Sequence, residues 1–195
     1  MDHLVALVGF SFVSSVTPGP NNVLLWASGA SFGVRRTLPH VAGTAIGIGA
    51  MALAVAAGSS AVLAAIPALA TAMKVSGSAY LLYLAFQVTR AGAVKQASAA
   101  RPLGLLAAAG FQLLNPKAWI FAFGAITTFR SPDLSAIAGS TLVAFTMMIV
   151  IVPTALLWAA AGGMIERLIT GPRSRRIVSL GLAALLVATI VLVWF

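Results

Sequence analysis

The chain has 195 residues, of which 61% are hydrophobic and 8% charged, against about 25% charged in an ordinary soluble domain. It contains no cysteine, which excludes disulfides, thiolate metal sites and cysteine nucleophiles. The formal net charge of +9 comes mostly from basic residues gathered between apolar segments, where they serve as topology signals rather than as a nucleic-acid surface.

Six apolar segments can be traced, and at about 20 residues each they occupy roughly 120 positions. The predicted class is therefore an all-α polytopic membrane protein, one bundle over residues 1–195 in contact with membrane lipid and without a soluble domain. Met1-Asp2-His3 lacks the positive region of a cleavable signal, so the first segment is expected to be retained. That segment, about Leu4 to Ala30, is uncharged but carries Pro18-Gly19-Pro20-Asn21-Asn22 in its middle. Two prolines remove two backbone donors there, and a continuous helix is not expected. In lipid such a break is tolerated only where protein or a polar cavity receives the freed backbone groups.

A loop from Ser31 to Leu38, with Arg35 and Arg36, leads to a second span over about Pro39–Ala64 that starts on a proline. Gly43-x-x-x-Gly47 along it allows close helix approach, and packing inside the bundle is the preferred reading over a subunit interface. The third span covers about Pro67–Thr89, with Lys74 near its start placed to snorkel to the headgroups. The loop Arg90–Arg101 marks the midpoint. Span four, about Leu103–Thr128, contains Gln112 and then Asn115-Pro116-Lys117; span five runs from Leu134 to Ile165, with tilt or a kink expected at Pro153. Span six, Ile177–Phe195, ends in Trp194 and Phe195, suited to an interfacial belt.

The loops between spans one and two, three and four, and five and six hold two, three and four Lys or Arg residues, while the opposite face holds only Lys74 and Arg130. Basic loops stay in the cytoplasm, which puts both termini outside. A shift of 98 residues lays Pro18 on Pro116, so the chain reads as two three-helix repeats, about 1–92 and 101–195, inverted in the membrane with helices one and four interrupted. Inverted repeats with discontinuous helices are a recurring transporter plan in which substrate is held near mid-membrane.

Lys117 is the one ionisable residue deep inside a span, fourteen positions past Leu103, or about 21 Å into a core of roughly 30 Å. No Asp or Glu lies in any predicted span, and a central lysine costs about 2.5–3.5 kcal/mol to insert. An anionic substrate group such as a carboxylate would complete the pair; the alternative is an amine that snorkels or bonds the carbonyls freed at Pro116. The half-helix after Pro18 presents unpaired N–H groups that suit a carboxylate, and Asn21 and Asn22 can donate and accept. The candidate binding or gating set is Pro18, Gly19, Pro20, Asn21, Asn22, Gln112, Asn115, Pro116 and Lys117. Lys117 and His40 are the candidates for proton coupling, although an interfacial capping role is the preferred reading of His40, and Trp26, Trp119 and Trp158 read as packing or interface anchors.

Thr17-Pro-Gly-Pro-Asn-Asn22, Gly33-x-Arg-Arg36, Pro39-His40-x-x-Gly43, Gly77-x-x-Tyr80-Leu-Leu-Tyr83 and Phe111-Gln112-x-x-Asn115-Pro-Lys-Ala-Trp119 together resemble the LysE/RhtB family of bacterial amino-acid exporters. The resemblance implies export of amino acids or close derivatives from the cytoplasm across the bacterial inner membrane, driven by the proton gradient, with no cofactor and no enzymatic activity. Without an intramembrane acid a basic side chain has no partner, so neutral amino acids are expected to be preferred over basic ones. The competing readings are an exporter of another small anionic solute and a non-transporting membrane scaffold. An intramembrane enzyme lacks its nucleophile or metal motif, and missing acids and thiolates disfavour a metal site. The particular amino acid, the coupling ion and the subunit count, a homo-oligomer included, stay open.

Overall fold

A computed structural model describes residues 2–59, 67–95, 102–169 and 171–194, and the regular elements among them are all helical. The predicted end of span two past residue 59, Arg101 with the rest of its loop from 96, and Phe195 lie outside the described residues. The first segment is two helices, α1 (Asp2–Val16) and α2 (Pro20–Phe32), parted at Thr17–Gly19. Helix α3 (Val34–Ala54) widens into a π turn over Val55–Ser59 that carries a left-handed Gly58. Helix α4 (Pro67–Lys95) follows. Then α5 (Leu105–Phe111), a 3-10 turn (Gln112–Leu114) and α6 (Pro116–Phe129) form the second interrupted segment, and α7 (Ala136–Leu168) and α8 (Pro172–Trp194) complete the chain.

Several helices run on past the expected spans. The loop placed over Ser31–Leu38 shrinks to a single residue, Gly33, whose φ of 78° turns the chain between α2 and α3. Its N–H caps Gly29 O at 2.9 Å, and Thr37 Oγ1 returns to Gly33 O at 2.9 Å. Arg35 and Arg36 therefore belong to the first turn of α3, and Pro39 sits inside that helix rather than starting it. Likewise α4 continues past Thr89 to Lys95, and α8 begins at Pro172, so Arg173, Arg175 and Arg176 ride on its first turn. Hydropathy marks the edge of the oil, whereas a helix runs on until its backbone bonds end. Arg175 reaches back to Glu166 at 2.7 Å across the α7–α8 joint.

Val34–Gly58, Ala136–Leu168 and Pro172–Val191 are each long and apolar enough to cross a membrane. Helix α7 stays unbroken through Pro153 and packs against α1, α2 and α3, while α4 lies along α8 and α5 along α3. These contacts are made at small residues, since lipid offers no hydrophobic drive for helices to associate and close van der Waals approach must supply it. A Cβ on Gly29 would fall on the Ala159 carbonyl, and one on Gly162 would fall on the Trp26 carbonyl, so α2 and α7 touch backbone to backbone. Gly43 and Gly47 receive the carbonyls of Leu105 and Ala109 in the same way. The glycine pair of α3 thus packs within the bundle, onto α5.

Candidate functional site

The break between α1 and α2 frees a run of carbonyls, and side chains from distant elements take them up. Thr17 Oγ1 donates to Ser14 O at 2.9 Å. Asn22 Nδ2 gives its two hydrogens to Ser15 O at 2.9 Å and Thr17 O at 2.7 Å. Trp158 Nε1, on α7, donates to Val16 O at 3.3 Å. Thr189 Oγ1, on α8, bonds Leu185 O at 2.9 Å and makes a longer contact of 3.5 Å with Pro18 O. Lys117 Nζ then donates to Thr17 O at 2.5 Å, Thr17 Oγ1 at 2.8 Å and Pro18 O at 3.3 Å. A buried carbonyl without a partner would cost several kcal/mol in lipid, so each of these donors helps hold the break in place.

The intramembrane amine is therefore partnered, but not as either sequence reading had it. It neither snorkels nor bonds carbonyls freed beside Pro116; it crosses to the other break, a hundred positions away. There it meets the negative dipole end of α1, a favourable place for a cation. The crossing needs Gly19. A Cβ at that position would lie 2.9 Å from Lys117 Cδ, inside contact distance, so the lysine stem lies flat on a residue with no side chain.

The second break is closed by shorter loops of bonding. Asn115 N donates to Gln112 O at 3.1 Å, and Trp119 Nε1 donates to Leu113 O at 3.0 Å. A Cβ on Gly77 of α4 would lie 3.0 Å from Pro116 Cδ, so this glycine lets the proline ring pack against α4. Tyr80 meets Phe111 at a tilt of 56°, with ring centroids 5.6 Å apart.

The two breaks are joined by a buried polar network centred on Asn21. Its Oδ1 accepts from Gln112 Nε2 at 3.1 Å and Thr44 Oγ1 at 3.2 Å, with His40 Nε2 at 3.4 Å. Gln112 Oε1 in turn accepts from Asn115 Nδ2 at 3.2 Å. His40 is 1% exposed, so the expected interfacial capping role is wrong. The ring is sequestered behind Asn21, because Gly43 and Gly47 bring α5 and Gln112 down onto that face of α3. An amide oxygen only accepts, so Nε2 is the donor in that contact, while Nδ1 is buried and has no partner among the described residues. Asn115 Oδ1 is also buried and unpartnered.

Gly19, Pro20, Asn21, Asn22, Gln112, Asn115 and Lys117 line one cavity of about 40 Å³. Pro18 faces a second cavity of about 400 Å³ between α1, α6 and α8, and Ser14, Lys117 and Phe121 line both. Pro116 lies against α4 instead, and His40 stands behind the network. On sequence alone Thr44 and Thr189 do not stand out, and Trp158 reads only as a packing or interface anchor. Thr44 follows His40 by one helical turn and could have been found from that spacing; a lone Trp or Thr in an apolar helix carries no signal of its own.

The family model of the LysE type translocators matches residues 12–193 of this chain. The chain belongs to that family. It is similar to the cysteine/O-acetylserine efflux protein of Escherichia coli strain K12, with 29% identity over 168 residues and 85% of each chain covered. It is similar also to the protein of that description from Salmonella choleraesuis, with 27% identity over 167 residues and 84% of each covered. No solved structure matches the chain. The protein is thus a multi-pass membrane translocator and not an enzyme. In a translocator of this length, a hollow where two broken helices meet is the natural candidate for the substrate path.

Proposed function

We propose that this translocator exports amino acids from the cytoplasm across the bacterial inner membrane, neutral ones in preference to basic ones, by alternating access at the paired breaks and with proton coupling. One observation carries the reading. Lys117 closes on the break of the opposite half while lining a cavity that also exposes Asn21, Asn22, Gln112 and Asn115. A substrate carboxylate takes over the ammonium from Thr17 and Pro18, and the free Asn115 Oδ1 accepts from the substrate ammonium. Both contacts are common to every amino acid, and no carboxylate lines the cavity to greet a basic side chain. Cysteine and O-acetylserine, the substrates for which those relatives are named, are neutral in their side chains.

The central cavity, about 40 Å³, holds only a few waters at about 10–15 Å³ each. It is too small for an amino acid as it stands. Loading then requires the breaks to part, which supports an alternating mechanism. Six spans in two inverted repeats accord with the packing, since α1 on α7 has its counterpart in α5 on α3, and α3 pairs with α7 as α4 pairs with α8. With basic loops inside and both termini outside, the 400 Å³ cleft faces the exterior half and the Asn21–His40 network seals the cytoplasmic half. His40 and Lys117 are the proton-coupling candidates, one on each side of that seal.

The test is radiolabelled amino-acid efflux from loaded vesicles containing wild type, Lys117→Ala or Asn21→Ala at matched protein levels. Wild type is expected to export, and both variants to lose most of that export. Unchanged efflux in both variants would remove the site, and no efflux from wild type would remove the function.

A further inference from the structure

A cleft of about 400 Å³ lies between α1, α6 and α8. Its walls are divided by polarity. At one end lie Ser14, Thr17, Lys117 and Thr189, the last two facing the Pro18 carbonyl. Away from that end the wall is hydrocarbon: Phe10 on α1, Ile120 and Phe121 on α6, Leu185 and Ala188 on α8. A space with one cation at its polar end and apolar side chains beyond matches a molecule with a carboxylate head and a hydrocarbon body. Neither Asp nor Glu is among the wall residues.

We propose that this cleft is the side-chain pocket of the exporter, that its preferred cargo is neutral amino acids with large aliphatic or aromatic side chains, and that Leu185 and Ala188 set the size limit. The proposal rests on the export reading above and extends it. Lys117 lines both cavities, so a carboxylate bound to it leaves the α-ammonium on the side of Asn115 and the side chain in the cleft. Small side chains leave most of the apolar wall unfilled and gain little from it. A charged side chain there would meet no partner, and burying it would be costly. Ala188 is exposed on its helix, so a larger residue at that position enters the cleft without displacing a buried neighbour.

The test uses two variants in proteoliposomes. The chain has no cysteine, so Ala188→Cys gives a single thiol inside the pocket. Leucine and phenylalanine are expected to slow its labelling by a maleimide, whereas alanine, lysine and leucinamide, which lacks the carboxylate, leave the rate as it was. Protection by laurate without protection by leucine would mean that the cleft takes a lipid chain, and would overturn the proposal. In the second variant, Ala188→Phe, the ratio of leucine to alanine efflux is expected to fall about tenfold, the scale on which apolar pockets discriminate by size. An unchanged ratio, with efflux intact and no thiol protection, overturns the pocket alone. Thiol protection by leucine in a wild-type background that exports no amino acid would overturn the export reading and leave the pocket standing.

Discussion

Asn21 gathers donors from three other positions onto one carbonyl oxygen, and those positions, His40, Thr44 and Gln112, lie on both halves of the chain. Asn21→Ala would leave the Gln112 amide with Ala108 O as its remaining acceptor and would open the seal. We expect it to cost about 1–3 kcal/mol, the scale for stranding buried polar groups, read as a lower midpoint of thermal unfolding in detergent, together with the loss of efflux. Trp158→Phe is a milder probe of the first break. It keeps an aromatic ring but removes the donor to Val16 O together with the pyrrole half of the indole, so the expected cost is at least about 0.6 kcal/mol, the average for intramembrane hydrogen bonds. A midpoint indistinguishable from wild type in the first variant would show that the network is not holding the halves together. At this scale the sequence was partly legible. Lys117 and Asn21 stood out because a charge or an amide in oil needs a reason, but their partners did not, since those come from elements far away in the chain.

Among the elements, the contacts that decide packing are those where one backbone meets another. Gly29 on Ala159 and Gly162 on Trp26 join α2 to α7, so Gly29→Leu should drive the two helices apart and prevent accumulation of folded protein, measured as the monodisperse fraction after extraction. Gly110 offers the contrast: nothing lies within 4 Å of a Cβ built there, and it sits inside α5. Gly110→Ala is expected to be neutral or to stabilise by about 0.5–1 kcal/mol through reduced chain entropy. A similar loss in both variants would argue against backbone contact as the cause. The two breaks were legible because proline cannot donate, a property independent of context. The end of α2 was not, because Gly33 alone turns the chain and the arginines beyond it stay helical.

For the molecule as a whole, the balance of basic residues and the geometry of the hollow bear on orientation and cargo. Reporter fusions after Arg101 and after Phe195 should report a cytoplasmic and an external position respectively; a cytoplasmic C-terminus would overturn the six-span reading. In vesicle efflux, threonine, homoserine or leucine should be exported in preference to arginine, because no carboxylate lines either cavity. Strong preference for arginine would reverse that inference. The central cavity, too small for an amino acid as it stands, adds an expectation about motion: a cross-link that fixes Lys117 to the first break should stop turnover while leaving the fold intact.

The sequence by itself determined that the chain lives in a membrane, that it breaks at Pro18-Gly19-Pro20 and again at Asn115-Pro116, and that Lys117 is a charge set within an apolar segment. Those follow from local chemistry: hydropathy over a window, missing backbone donors, the cost of a charge. Only the tertiary structure decided that the amine belongs to the opposite break, that His40 is sequestered rather than interfacial, and that a tryptophan and a threonine from the last two helices complete the first break. Partners a hundred residues apart meet because glycines let helices touch and because lipid supplies no competing hydrogen bond, and neither condition can be read from one segment alone.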